Sequence, residues 1–182
     1  RGELLELCAE AGNDLIVGNG FLFDAAMNEV APNYPDLNFA ITDGVAEPSN
    51  VRGMLFKHAE GSYLAGIAAA LKTKTNNVGF IGGVDFPLIH EFEQGFLAGV
   101  AEINPDIVVQ IGYASVPPDF SGFNDPVKGK EIALAQYEAG ADIIYHAAGG
   151  TGTGMFEAAK EVSESTGSKV WGIGVDFDQY YQ

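Results

Sequence analysis

Residues 139–159 read AGADIIYHAAGGTGTGMFEAA, and residues 11–26 read AGNDLIVGNGFLFDAA. Each has a short Gly-containing lead, an Asp, an apolar run, a Gly-rich turn and then a stretch of helical composition. A strand feeding a Gly-rich turn at a helix N-terminus is the building unit of an α/β domain. Meeting it twice, far apart, points to two related lobes rather than a repeat array, whose period runs about 20–50 residues. Two such lobes facing each other make a cleft, and a cleft implies a small-molecule site.

Outward from these stretches, strand and helix patterns alternate. The first part reads as a helix over 3–11 closed by Gly12, with Leu4, Leu5, Leu7 and Cys8 as its apolar face. A strand over Asp14–Val17 follows, ending in the turn Gly18-Asn19-Gly20. Next come a helix over 21–30, a strand over Asn38–Thr42 running into Asp43-Gly44, and an extended segment over Val51–Phe56. From Glu60 the order is helix, then strand–helix three times, then strand. The strands are read at Val78–Ile81 (ending in a Gly82-Gly83 turn), Ile107–Ile111, Asp142–Tyr145 and Val170–Val175. The helix after Pro87 carries its apolar set at Leu88, Ile89, Phe92, Phe96, Val100 and Ile103. Alternation of this kind predicts mostly parallel, doubly wound sheets covered on both faces. Residues 1–57 hold too few strands for a whole lobe. Residues 58–176 hold a complete second lobe, and 177–182 begin a segment leading back to a hinge.

The formal net charge is −16, from 25 acidic against 9 basic residues. That excess disfavours a nucleic-acid backbone or an anionic lipid surface as partner. Cys8 is the single cysteine, so no internal disulfide forms. It lacks the preceding small residues and apolar core of a lipid-attachment site. No apolar run reaches the ~18 residues of a membrane span. The chain opens at Arg1 inside a helical pattern and stops at Gln182 just after a strand, as an internal piece of a longer protein would.

In open parallel sheets the ligand lies beyond the carboxyl ends of the strands. Here those ends are rich in Gly, Asp and Asn. Asp43 and Asp176 each directly follow an apolar strand, where a carboxylate can hold vicinal hydroxyls or, equally, cap the next turn. The run Gly149-Gly150-Thr151-Gly152-Thr153-Gly154 fails the dinucleotide fingerprint: one frame meets Met155 and the other Thr151 where glycine belongs. It also lacks the Lys of a P-loop. Its amides at a helix start suit a neutral polar ligand. Phe21, Phe23, Phe86, Phe120 and Phe123 lie near strand ends, and Phe123 stands out in the polar loop SGFND with no evident core to fill. His58, His90 and His146 have no metal spacing, with His90 on a solvated helix face and His146 near a strand end facing the cleft. Nothing demands catalysis, and no cofactor or metal is expected.

The segments NVGFIGGVDFPLIHEFEQGFLAGV, NDPVKGKEIALAQYEAGADIIYHAAGGTGTGMFEAAKE and VWGIGVDFDQ resemble the basic membrane protein family, which includes the purine nucleoside receptor A lipoproteins of bacteria. EGSYLAGIAAALKT and DLIVGNGF fit as well. The resemblance implies a type I periplasmic-binding-protein fold of two lobes joined by hinge strands. It implies the ligand-capturing component of an ABC importer, partnered by a permease and held by a lipid anchor on the outer face of the cytoplasmic membrane or in the periplasm. It implies a purine nucleoside as ligand. Carried over, Asp176 becomes a ribose contact, Gly150 a backbone contact and Phe123 the stacking aromatic of the second lobe. Asn19, Phe21 and Asp43 line the edge of the first. The family's other stacking aromatic and an acidic residue fall before Arg1, and a lysine falls beyond Gln182. A sugar or other solute, a ligand-sensing regulatory domain, and a nucleoside-cleaving enzyme are the competing readings.

Overall fold

The computed structural model describes residues 1–181; of the segment 177–182, Gln182 lies outside them. The chain divides into two compact units, Arg1–Lys57 and a second from His58 onward. Among the described residues the first unit comprises α1 (Gly2–Glu10), β1 (Leu15–Gly18), α2 (Asp24–Val30), β2 (Asn38–Thr42) and β3 (Val51–Met54). Its strands form a parallel sheet in the order β1-β2-β3.

Leu5 and Ala9 of α1, Met27 and Val30 of α2, and Ile16, Phe39 and Ile41 of the sheet form one core. Burial alternates along β1 with the period of a strand: Ile16 is 5% exposed, whereas Leu15 and Val17 are 57% and 54% exposed. Helices α1 and α2 both pack on the face that Ile16 enters. On α1 only the i, i+4 pair Leu5 and Ala9 is buried; Leu4, Leu7 and Cys8 are exposed, so the apolar face is narrower than the sequence implied. The Asn50 amide donates to the carbonyls of Ala31, Tyr34 and Leu37 at 3.0, 3.0 and 3.1 Å, tying down the loop that leads into β2.

The second unit runs α3 (His58–Lys72), β4 (Asn77–Val84), α4 (Pro87–Ile103), β5 (Val108–Ser115), α5 (Pro126–Glu138), β6 (Ile143–Ala147), α6 (Gly152–Thr166) and β7 (Trp171–Ile173). The four strands are parallel in the order β5-β4-β6-β7. Successive residues of β6 serve opposite faces. Ile143 and Tyr145 join Phe80, Ala69, Phe96 and Val100 on the side of α3 and α4. Ile144 joins Ile81, Ala133, Tyr137, Met155 and Ala158 on the side of α5 and α6. This is the doubly wound α/β arrangement that the alternating pattern predicts.

Three details differ from the sequence expectation. Gly82 and Gly83 are not a turn but lie inside the buried strand β4. They are small because aromatic rings lie on them: a Cβ on Gly82 would run into the Tyr113 ring, and one on Gly83 would sit 2.5 Å from the Phe123 ring. Strand β5 continues to Ser115, past its last strongly apolar residue. Ile103, in the final turn of α4, is 40% exposed rather than part of the apolar set.

Candidate functional site

The strand order β5-β4-β6-β7 reverses between β4 and β6, and the crevice beyond the carboxyl ends at such a reversal is where open α/β sheets hold ligands. Two of the predicted residues meet there. Phe123 sits in a 3-10 turn, Ser121–Phe123, with its half-buried ring over Gly83 of β4. Gly150 sits in the 3-10 turn Gly149–Thr151 that follows β6 and opens α6. The Phe123 carbonyl oxygen lies 3.0 Å from where a Gly149 Cβ would stand, and Asn124 Oδ1 lies 3.1 Å from where a Gly150 Cβ would stand. Phe123 is not a loop aromatic without a core, as its sequence context implied. It packs against the α3–α4 side of the core.

A hydrogen-bond net fixes this corner. The Ser115 hydroxyl donates to the Asp119 carbonyl at 2.8 Å and accepts from the Gly122 amide at 3.2 Å. The Asp119 carboxylate accepts from the Ser121 amide at 2.8 Å, and bonds from Ser121 hold its pKa below the usual carboxylate value. The fully buried Thr151 hydroxyl donates to the Gly122 carbonyl at 2.7 Å and accepts from the Asp125 amide at 2.8 Å. Thr151 thus clamps the loop carrying Phe123 onto the turn carrying Gly150. Sequence reasoning missed it, since the contact spans residues far apart in the chain.

Strand β7, the neighbour of β6, ends at Ile173 and not at Val175 as read from the sequence, so Asp176 stands a short turn beyond it. Asp176 is exposed and has a positive φ of 68°. Its charge acts on the Tyr145 hydroxyl of β6, whose pKa is raised by burial and by Asp176, while a bond to Ser62 at 3.1 Å works the other way. Phe123, Gly150 and Asp176 therefore all lie at the carboxyl edge of one sheet.

In the first unit the carboxyl ends of β1 and β2 are tied to each other. The Thr42 hydroxyl donates to Asn19 Oδ1 at 2.8 Å and accepts from the Gly20 amide at 2.8 Å. Asp43 comes next, at φ 56°, and half-buried Phe21 opens the 3-10 turn after Gly20. Asn19, Phe21 and Asp43 thus share that unit's strand-end edge.

The histidines divide differently from expectation. His146 does not face a cleft. It is 0% exposed, sits on the α6 side of β6 edge-on to Phe156, and burial pushes its pKa down to about 4, with the bond to Gln179 opposing. Strand parity explains this: Tyr145 takes the α3–α4 face, so His146 must take the other. His90 is exposed and bonds Asp85 at 2.6 Å, while His58 stacks on Phe92 at 4.6 Å. Among the described residues, no group of three or more His, Cys, Asp or Glu is placed to hold a metal ion, and no helix is long and apolar enough to cross a membrane.

Across residues 1–182 the sequence matches the Bmp family, described as ABC transporter substrate-binding protein PnrA-like. The chain belongs to the Bmp family. It is 45% identical over 175 residues to a Lactococcus lactis protein named ABC transporter nucleoside-binding protein BmpA, a match covering 94% of this chain and 48% of that one. Among solved structures it is similar to an ABC transporter solute-binding protein of Aeropyrum pernix K1, with a TM-score of 0.87 and 31% identity over 99% of this chain and 51% of that chain. Similarity to GanP, a glucose-galactose binding protein of Geobacillus stearothermophilus, is 19% in identity with a TM-score of 0.66 and bears on the fold alone. The fold is that of type I periplasmic binding proteins, as the resemblance implied, and the chain spans about half the length of the curated relatives it matches.

Proposed function

We propose that this Bmp-family chain belongs to the extracytoplasmic solute-binding component of an ABC importer and takes a purine nucleoside. The observation that supports the reading is that an aromatic ring, a glycine turn and a carboxylate all follow strands at the carboxyl edge of one sheet. An ionised carboxylate is acceptor-only, so Asp176 suits paired hydroxyls such as the ribose diol. Phe123 offers a ring on which a purine can stack. Gly150 lets the ligand approach the backbone. Asn19, Phe21 and Asp43 are the proposed contacts from the first unit. The relative named as nucleoside-binding supports this choice over a free sugar. The protein acts by binding rather than catalysis, delivers its ligand to a membrane permease, and is held by a lipid anchor at the outer face of the cytoplasmic membrane.

Calorimetric titration of the intact protein with adenosine, guanosine, inosine and free ribose tests the proposal. Asp176→Ala is expected to weaken nucleoside binding by about 1.5–3 kcal/mol, the size of a hydrogen bond to a charged group. Phe123→Ala is expected to erase the preference for purine nucleoside over ribose. Unchanged affinity in Asp176→Ala removes Asp176 from the site, and a wild-type preference for ribose replaces the nucleoside with a sugar.

A further inference from the structure

Asp176 stands in an uncommon turn. The Phe177 amide donates to the Val175 carbonyl at 2.8 Å across Asp176, whose φ is 68°. A three-residue turn with positive φ at its centre is the rare, strained form, and a non-glycine residue stays in it only when its surroundings impose it. Here Gln179, 9% exposed, folds back beneath the turn. Its Oε1 accepts from the Val175 amide at 2.7 Å and bonds His146 Nε2 at 3.1 Å.

The Val175 amide can only donate, which fixes the carboxamide oxygen at this position. His146 must then carry its proton on Nε2. Two glycines make room for the stack. A methyl on Gly174 would run into the Gln179 carboxamide, and one on Gly152 into the His146 ring.

We propose that Gln179 and His146 are positioning residues for Asp176: the Gln179 carboxamide, seated on the buried His146 ring, grips the Val175 amide and holds Asp176 in its turn at the sheet edge. The proposal rests on the reading of Asp176 as a ribose contact. Gln179 and His146 then act on binding through Asp176, and neither needs to touch the ligand.

A double-mutant cycle with adenosine, guanosine and inosine as probes, on the intact protein, tests it. Gln179→Ala is expected to raise Kd at least about fivefold, within the range of coupled neighbours. Gln179→Glu, which keeps acceptor oxygens for both donors, is expected to restore most of the affinity. In an Asp176→Ala background, Gln179→Ala is expected to add less than about twofold, because its effect passes through Asp176. Gly174→Ala, which displaces the carboxamide without removing it, is expected to weaken binding as Gln179→Ala does, and it carries the test if Gln179→Ala fails to fold by circular dichroism.

Losses that multiply independently in the double variant, or a Gln179→Ala protein of wild-type affinity beside a weakened Asp176→Ala, overturn the positioning role and leave the nucleoside reading standing. If Asp176→Ala itself binds as tightly as wild type, the site assignment and the positioning role fall together.

Discussion

Replacing Gly95 and Gly99 together by alanine is expected to lower the free energy of unfolding by about 3 kcal/mol, although alanine is the better helix former by about 1 kcal/mol at each position. Helices α3 and α4 touch backbone to backbone. A Cβ on Gly95 would meet the Ala59 carbonyl, and one on Gly99 would meet the Tyr63 carbonyl and stand 3.0 Å from the Ile67 amide nitrogen. A backbone carbonyl cannot rotate aside as a side chain can, so the helices must separate, with overpacking penalties of about 1–3 kcal/mol or more per site. Gly61, on the same helix pair, is the internal control: a Cβ there meets nothing within 4 Å. Gly61→Ala is expected to raise stability by about 0.5–1 kcal/mol. Urea unfolding of the three proteins checks both signs. Equal effects at Gly61 and at the Gly95–Gly99 pair would show that the close helix contact is not what these glycines serve.

The second large effect is in pH. The His146 ring is held neutral by burial, with its pKa near 4 in the fold against an ordinary 6.5. Between those values the unfolded chain binds a proton that the folded chain excludes, so stability falls as pH drops from about 6.5 toward 4 and falls no further on this account below it. At about 1.4 kcal/mol per unit of difference, the loss is about 3 kcal/mol. The 25 acidic residues add an acid dependence of their own to any variant. The informative quantity is therefore the difference between wild type and His146→Gln. Between pH 7.5 and 4 the wild type is expected to lose about 3 kcal/mol more than the variant. Parallel pH profiles would mean that His146 takes up its proton at the same pH in the fold as in the unfolded chain.

How far the sequence carried depends on range. The order of elements from residue 60 onward was legible because a glycine or turn residue follows soon after each strand and each helix has its own apolar spacing. The strand-end edge was legible too, since Asp43 directly follows its strand and Gly150 and Asp176 come shortly after theirs. What failed was decided by partners distant in the chain. Gly82 and Gly83 read as a turn until the rings of Tyr113 and Phe123 are laid against them. Phe123 looked free because its loop is polar, yet the residues that bury it come from β4 and from beside β6. Thr151, His146 and Gln179 carry no local signal at all. Each makes a hydrogen bond to a residue about thirty positions away, Gly122 for Thr151, and Gln179 and His146 for one another, and that distant bond seats Gln179 where it reaches the nearby Val175 amide.

The charge was also informative in a negative sense. A net charge of −16 and the broken fingerprint at Gly149–Gly154 turned the glycine run away from phosphate and toward a neutral ligand. A nucleoside meets that requirement, offering a planar base and a diol without a phosphate.

Native mass spectrometry of the intact protein, purified gently and then denatured to identify what it releases, tests the central proposal most directly. One purine nucleoside per chain is the predicted result. A protein that arrives empty and then gives no response to adenosine, guanosine or inosine in titration would contradict it.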